Sequence, residues 1–130
     1  MASRGRAAAR ARRRSSCRIG EELSSILAQI QALVARGEVR LSLHGFRELA
    51  ADDILLDDLL DGAGSAVLIE DYADASRGPT VLVLQRDSAD RPVHVVWGIR
   101  KDTTGPAVLV TAYRPDPLRW SSDFMKRRTP

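Results

Sequence analysis

The sequence contains one cysteine, few aromatic residues and no long apolar run. Cys17 is that cysteine, so an internal disulfide is impossible, and no Cys-x-x-Cys or histidine–cysteine cluster offers a structural zinc site. No apolar stretch approaches the roughly 20 residues that cross a bilayer, and no apolar segment follows the basic start as in a secretory signal. We therefore expect a cytoplasmic protein with no membrane partner.

Common cofactor and nucleophile motifs are missing as well. The chain has no Walker loop, no Gly-x-Gly-x-x-Gly, no Gly-x-Ser-x-Gly and no His-Glu-x-x-His. These absences argue against P-loop, dinucleotide-dependent, serine-hydrolase and zinc-protease chemistry. No cofactor is expected.

Basic residues are concentrated at the start of the chain. The formal net charge is +3, but seven arginines precede the first acid, Glu21, which leaves 13 basic against 17 acidic residues, a formal −4. These arginines are Arg4, Arg6, Arg10, Arg12, Arg13, Arg14 and Arg18. Residues 1–19 are therefore predicted to form a disordered arm. Three interpretations of the arm stay open: a nonspecific phosphate-binding tail, an organelle transit peptide, or an extension with no function.

The region after the arm begins with helical spacing of apolar residues. The predicted elements are a helix over 21–36, a brief strand or extended link over 39–43, a helix over 43–51 and a further helix that ends before Gly62. Gly37 provides the usual stop for the first helix. Ser42 is placed to cap the second helix, and Asp52 or Asp53 to cap the third.

After Gly64 the apolar pattern becomes that of β-strands. Four runs rich in Val, Ile and Leu alternate with breaks that contain Gly, Pro, Asp or Ser. The runs are Ala66–Tyr72, Thr80–Arg86, Pro92–Arg100 and Ala107–Tyr113. Short breaks favour antiparallel neighbours, so we predict an α+β fold with N-terminal helices packed on one face of a four-stranded, mainly antiparallel sheet. Residues 20–120 form the single predicted domain, and residues 121–130 a basic tail. The chain is expected to leave the sheet at Arg114 and fray.

Two histidines and two hydroxyl residues are the candidate catalytic groups. His44 begins the predicted short helix, and His94 lies in mid-strand on the face opposite its apolar neighbours. If the helices cover the apolar face, His94 points to the open one. In the last strand Thr111 and Tyr113 are predicted to share a face with Leu109. Histidine suits proton transfer near neutral pH, but each histidine also has a plainer interpretation as a surface or hydrogen-bonded residue.

Charge separates the predicted helices from the predicted sheet. Residues 48–74 hold nine acids and no base, whereas residues 77–115 hold six bases and three acids. An anionic ligand is therefore expected at the sheet. Metal-free RNA cleavage needs a base for the 2′-hydroxyl, an acid for the leaving oxygen and cations for the charged phosphorane. Histidines and arginines are residues that supply these groups.

Several strings resemble those of a known family. They are Ser42-Leu43-His44-Gly45-Phe46, Glu70-Asp71-Tyr72, Arg77-Gly78-Pro79, Val81-Leu82-Val83-Leu84, Arg91-Pro92-Val93-His94-Val95-Val96-Trp97-Gly98 and Val110-Thr111-Ala112-Tyr113-Arg114-Pro115-Asp116-Pro117-Leu118-Arg119-Trp120. Together they are similar to the bacterial family catalogued as domain of unknown function 4258. The similarity extends from about residue 23 to residue 127, without the arginine-rich arm.

The resemblance implies a RelE-like fold of the barnase, colicin and RelE group. It also implies a toxin encoded beside a small antitoxin, often a zinc-finger protein, and metal-independent ribonuclease activity. The family's helix histidine corresponds to His44, its strand histidine to His94, and its last-strand signature to Thr111, Tyr113 and Pro115.

One position departs from the family pattern. Many members carry an arginine four residues after the helix histidine, where this chain has Glu48, and Arg47 lies one place earlier. The departure puts the phosphate-binding role of the helix in question.

The leading hypothesis is a toxin-type, metal-independent endoribonuclease. In this hypothesis His44 and His94 share acid and base roles, and Thr111 and Tyr113 position the RNA. The expected substrate-binding residues are Arg47, Arg100, Lys101 and Arg114. The alternatives are a noncatalytic module that binds protein or nucleic acid on the same sheet face, and a metal site built from His44, Glu48 and His94.

Overall fold

The structure is a computed structural model that describes residues 18–128, with side chains from residue 25 onward. Its elements are α1 (Arg18–Ala35), β1 (Val39–Leu41), α2 (Leu43–Ala51), α3 (Leu56–Gly62), a 3-10 helix (Ala63–Ser65), β2 (Val67–Tyr72), β3 (Thr80–Arg86), β4 (Pro92–Ile99) and β5 (Ala107–Tyr113). The predicted α+β class is confirmed. Most of the predicted arm, residues 1–17, lies outside the described residues, while Arg18 and Ile19 begin α1. No helix in the described part is long and apolar enough to cross a bilayer.

The sheet has five strands rather than the predicted four. Their order is β1-β5-β4-β3-β2, with β1 parallel to β5 and every other pair antiparallel. The brief alternation after α1 is therefore an edge strand, in which Val39 pairs with Ala107 and Leu41 with Leu109. Its partner lies almost 70 residues away, so local sequence pattern does not indicate the pairing.

A serine and an aspartate show how the helices are joined to β5. Ser42 is the predicted N-cap of α2: its hydroxyl accepts the amide of Gly45 at 2.9 Å and donates to the Val110 carbonyl at 2.9 Å. The predicted aspartate cap of α3 is wrong, because α3 starts after Leu55 without a side-chain cap. Asp52 instead accepts the backbone amide of Arg114 at 3.0 Å, which fixes the end of α2 to the end of β5.

The main core lies between the helices and one face of the sheet. It contains Leu27, Ile30, Leu33, Leu49, Ile54, Leu59, Ala63, Val81, Val83, Val93, Val95, Trp97, Ile99, Ala107, Leu109 and Ala112. Gln85 is buried beside it, accepting the Trp97 indole N–H at 2.9 Å and donating to the Leu59 carbonyl at 2.9 Å. The helices thus cover the face that carries Val95 and Trp97, as the strand pattern predicts.

A bulge in β5 changes which residues share a face. Val96 pairs with Thr111 but Trp97 pairs with Leu109, so Val110 is the extra residue. Leu109 therefore faces the main core, and the expectation that it shares a face with Thr111 and Tyr113 is wrong. Those two residues face the side opposite the helices, because one inserted residue reverses the alternation.

The other face of the sheet is partly covered by residues 114–128, which we name the C-terminal segment. Trp120 pairs with Arg127 in an antiparallel bridge, and the Arg128 amide donates to the Arg119 carbonyl at 2.8 Å. Trp120 is buried although it lies outside the main core. The expectation that the chain frays after Arg114 is wrong, since this segment folds back and forms a third layer.

Candidate functional site

His94 lies in the centre of the face beneath the C-terminal segment. Its Nε2 is 2.8 Å from the Phe124 carbonyl oxygen, and its Nδ1 is 3.3 Å from the Tyr113 hydroxyl. A carbonyl oxygen only accepts hydrogen bonds, so Nε2 carries the proton. In the neutral ring Nδ1 is then the acceptor, and the Tyr113 hydroxyl donates to it.

The imidazole of His94 is sealed from solvent, with an exposed fraction of 0%. The Trp120 ring meets it edge-on, with 4.4 Å between ring centroids. Burial lowers the pKa of His94, and the Arg127 charge acts in the same direction, while the bond to Phe124 opposes them. The expectation of a solvent-facing His94 is therefore wrong: it lies on the predicted face, but the C-terminal segment covers that face.

Tyr113 connects the buried imidazole to the surface. It is half-buried, and burial raises the pKa of its hydroxyl, so the phenol keeps its proton at neutral pH. It lines a groove of about 630 Å³, which we name the Tyr113 groove. The lining residues are Tyr113, Arg114, Asp116, Leu118, Arg119, Trp120, Arg127 and Arg128. Four arginines and one acid make this groove cationic.

Arg127 holds the C-terminal segment against β2. Its guanidinium pairs with the Glu70 carboxylate and lies over the Trp120 ring, 4.9 Å from the centroid. Glu70 also accepts the Tyr72 hydroxyl. The bond from Arg127 lowers the pKa of Glu70, with the Tyr72 bond contributing, and the same pairing raises the pKa of Arg127. This ionic cluster borders the His94–Tyr113 pair.

The remaining arginines of the groove differ in how much of their hydrogen-bonding capacity is used. Arg114, a predicted substrate-binding residue, pairs with buried Asp87 at 2.9 Å and donates to two backbone carbonyls. Arg128 donates through Nε to the carbonyls of Pro117 and Trp120, at 2.9 and 2.7 Å. The Arg119 side chain is 83% exposed, with Asp116 3.9 Å away. Arg119 is thus the arginine of this groove best placed to bind an incoming anion.

Arg100 and Lys101, also predicted to bind substrate, line a different groove on the face opposite the helices. This groove of about 520 Å³ is named the Gly98 groove. Its lining residues are Ser42, Arg77, Gly78, Thr80, Gly98, Ile99, Arg100, Lys101, Val108 and Val110. Of the predicted substrate-binding residues, Arg114 therefore lines one groove, Arg100 and Lys101 line another, and Arg47 lines neither.

The residues of α2 do not join His94 in a common hollow. His44 and Arg47 are exposed, and the described contacts include no hydrogen bond from either side chain. His44 is the second residue of α2 and follows the cap Ser42 by two residues, and the Ser42 hydroxyl bonds the Val110 carbonyl. Val110 precedes Tyr113 by three residues, which is roughly 10 Å along β5. Thr111 lies half-buried on the His94 face, where it pairs with Val96.

The alternative metal site is wrong. Among the side chains described, from residue 25 to residue 128, no three His, Cys, Asp or Glu residues come together as metal ligands. Both ring nitrogens of His94 are already engaged, by Tyr113 and Phe124, so neither is available to a metal ion together with His44 and Glu48.

Sequence reasoning missed the contribution of the C-terminal segment. Trp120, Arg127 and the Phe124 carbonyl complete the surroundings of His94, yet they follow the last predicted strand. The one sequence signal for this contribution was the tryptophan in a turn-rich stretch, because tryptophan side chains are usually largely buried.

The fold and site together define an α+β protein with a buried histidine–tyrosine pair under an arginine-lined groove. The family described as Domain of unknown function (DUF4258) matches residues 41–114, more than half of the 130-residue chain. The chain belongs to this family. The match includes His44, His94, Thr111 and Tyr113 and ends at Arg114, before most of the C-terminal segment. No curated protein and no solved structure gives a significant match.

Proposed function

We propose that this protein is a toxin-type endoribonuclease that cleaves RNA without a metal ion in the Tyr113 groove. The observation that carries the proposal is the Tyr113 hydroxyl, which donates to a neutral buried His94 and lines a groove with four arginines. A proton acceptor and a cationic phosphate site are two requirements of this reaction. A RelE-like fold and a small antitoxin partner belong to the same proposal.

The reaction proceeds by attack of the RNA 2′-hydroxyl oxygen on the adjacent phosphorus. That hydroxyl gives its proton to the Tyr113 oxygen while Tyr113 passes its own proton to Nδ1 of His94. The bond from phosphorus to the 5′-oxygen breaks, and the leaving oxygen takes up a proton. The products are a 2′,3′-cyclic phosphate and a 5′-hydroxyl.

Burial and the Arg127 charge disfavour the imidazolium that this step forms, whereas the bond to Phe124 and the other arginines of the groove favour the transfer. Protonation makes His94 an imidazolium whose Nε2–H already donates to the Phe124 carbonyl. Arg119 and Arg128 stabilise the added negative charge of the phosphorane. His44, exposed at the start of α2, is our candidate donor of the proton to the leaving oxygen, with Arg47 beside it for phosphate contact.

The test is cleavage of a structured RNA by purified protein in excess chelator, comparing Tyr113→Phe with the unaltered chain. Removal of the hydroxyl breaks the proton path but keeps the ring, so we expect the cleavage rate to fall at least about 100-fold. Expression of the unaltered chain should slow bacterial growth, and expression of the variant should not.

The matched control is Tyr72→Phe, because it removes the other tyrosine hydroxyl, on β2 outside the groove lining. We expect it to cleave within about threefold of the unaltered chain. Unchanged cleavage by Tyr113→Phe, or complete inhibition of the unaltered chain by the chelator, would refute the proposal.

The complete burial of His94 favours a second candidate, a noncatalytic nucleic-acid-binding module. In that case the two hydrogen bonds of His94 only fix the C-terminal segment to the sheet. Such a protein binds the RNA in the presence of chelator, as seen by filter retention or gel shift, but leaves it intact. The same RNA assay therefore separates the two candidates.

A further inference from the structure

The Gly98 groove carries cations that form no ion pair among the described residues. We propose that this groove is a second phosphate-binding subsite, which holds the backbone of a single-stranded nucleic acid without reading its bases. The charge and shape of the groove carry the phosphate binding. The choice of RNA as the natural strand rests on the proposed function.

The charge of the groove comes from Arg77, Arg100 and Lys101. All three side chains are exposed, and none takes part in an ion pair among the described residues. The lining contains no aspartate or glutamate. In the Tyr113 groove, by contrast, Arg114 and Arg127 are paired with acids. An anion entering the Gly98 groove therefore displaces no internal partner.

Two glycines account for the shape of the groove. A Cβ on Gly98 would lie 3.3 Å from Thr80 Oγ1 and 3.4 Å from the Pro79 carbonyl oxygen, so a side chain here would fill the floor. A Cβ on Gly78 would collide with the Ile99 carbonyl, so glycine lets the two loops approach closely. The Lys101 amide donates to the Arg77 carbonyl at 2.9 Å, which brings the cationic residues of both loops together.

The hydroxyl groups of the groove are already used. Ser42 donates to the Val110 carbonyl at 2.9 Å, and Thr80 donates to the Gly78 carbonyl at 3.0 Å. The cationic side chains are then the donors left for a ligand, while Val108 and Val110 offer apolar surface. Phosphate contacts position a strand but carry no sequence information, so binding here is expected to be independent of sequence.

The two grooves are close enough for one strand to occupy both. β5 passes from Val110 in the Gly98 groove to Tyr113 in the other, roughly 10 Å along the strand. A strand of a few nucleotides covers this distance. The subsite therefore anchors the chain of phosphates on one side of the bond to be cleaved.

The test is binding of a labelled oligothymidylate of about 12 nucleotides, followed by fluorescence anisotropy over a range of salt concentrations. DNA lacks the 2′-hydroxyl, so the probe is not cleaved and binding is measured apart from activity. The groove variant carries Arg77→Gln, Arg100→Gln and Lys101→Gln. We expect at least a tenfold loss of affinity, and the negative slope of log K against log salt should become shallower by about 2.

A second triple variant, Arg36→Gln, Arg40→Gln and Arg86→Gln, is the control with the same net charge. Both variants keep the seven arginines before Glu21, so any binding by that region is equal in the two. The control should lose less than about threefold, because its cations lie outside both grooves and exposed charges are screened by salt. Equal losses in the two variants would overturn the proposal.

Adenosine monophosphate, as a competitor of the oligonucleotide, shows whether the groove binds a strand or a free nucleotide. Tight binding of the oligonucleotide with no competition by millimolar nucleotide supports the strand. Competition at micromolar nucleotide that disappears in the groove variant overturns it in favour of a free nucleotide. Because the DNA probe has no 2′-hydroxyl, its binding is measured whether or not the protein cleaves RNA, so failure of the cleavage proposal leaves this result interpretable.

Discussion

Asp87 is the residue with the most concentrated set of hydrogen bonds in the described chain. Its carboxylate accepts the amides of Ala89 and Arg91 at 2.9 and 2.8 Å, and the guanidinium groups of Arg91 and Arg114 at 3.1 and 2.9 Å. Burial on its own would raise the pKa of Asp87, but the bonds from Arg91, Arg114 and Ala89 outweigh it, and the pKa is lowered. This carboxylate joins the turn between β3 and β4 to the start of the C-terminal segment.

Asp87→Asn should therefore destabilise the protein at neutral pH by about 2 kcal/mol, because Arg114 loses its buried ionic partner and part of the acceptor set disappears. Denaturant unfolding followed by circular dichroism measures the change. Asp61→Asn, which alters an exposed aspartate on α3, is the control and should shift stability by less than about 0.5 kcal/mol. An equal effect of the two substitutions would show that the charge of Asp87 contributes no more to stability than that of an exposed aspartate.

The same carboxylate predicts a pH dependence. The pKa of Asp87 is lower in the folded protein than in the unfolded chain, where it is near 3.9. Its stabilising contribution is thus fully present above about pH 5 and is lost as pH falls through the folded pKa. The difference in unfolding free energy between the unaltered chain and Asp87→Asn should shrink on acidification below pH 5. A difference that stays constant down to pH 3 would contradict this assignment.

At the scale of elements, local pattern predicted most of the helices and strands but not how they meet. The bounds of α2, β3 and β5 agree with the sequence interpretation because capping and alternation are local properties. The pairing of β1 with β5 and the bulge at Val110 depend on residues far apart in the chain. The bulge in particular decides that Thr111 and Tyr113 face His94 and Leu109 does not.

For the candidate site, the sequence likewise predicted some of the residues but not their surroundings. His94 and Tyr113 were identified from strand alternation, and the structure brings them together, but their burial was not foreseen. The C-terminal segment has no sustained helical or strand periodicity, since its few large apolar residues lie among turns: Leu118, Trp120, Phe124 and Met125. Pattern reasoning has no means to place such a segment on a particular surface.

The covering role of this segment predicts the effect of Trp120→Ala. Removing the indole opens His94 to water, so its pKa should rise back toward 6.5, because burial is the main cause of the lowering. The unfolding free energy should decrease by about 3 kcal/mol. Titration of the His94 imidazole signals by NMR measures the first effect.

Leu118→Ala is the control for this experiment, because Leu118 belongs to the same segment but is 83% exposed. It should leave the titration of His94 unchanged. If Trp120→Ala also leaves it unchanged, the indole is not what excludes water from the imidazole.

At the scale of the whole molecule, acidic and basic residues lie on different parts of the fold. The acids of residues 48–74 lie mainly on α2, α3 and β2, whereas both cationic grooves involve the sheet face opposite the main core. A polyanion is attracted to one side of the molecule and repelled from the other. Under the proposed function, this distribution would orient an RNA strand before any specific contact forms.

The arginines at the start of the chain should add attraction without directing cleavage. Residues 1–17 contain six arginines and no acid, so replacing these arginines with glutamine changes the formal net charge from +3 to −3. We expect RNA affinity at low salt to fall at least about tenfold and the salt dependence to weaken, since fewer counterions are released. Under the proposed function the position of cleavage should stay the same, because the substitutions leave the linings of the Tyr113 and Gly98 grooves unchanged. Replacing the same six arginines with lysine keeps the charge and should preserve affinity. A changed cleavage position in the glutamine variant, read from the product lengths on a sequencing gel, would mean that these arginines select the site themselves.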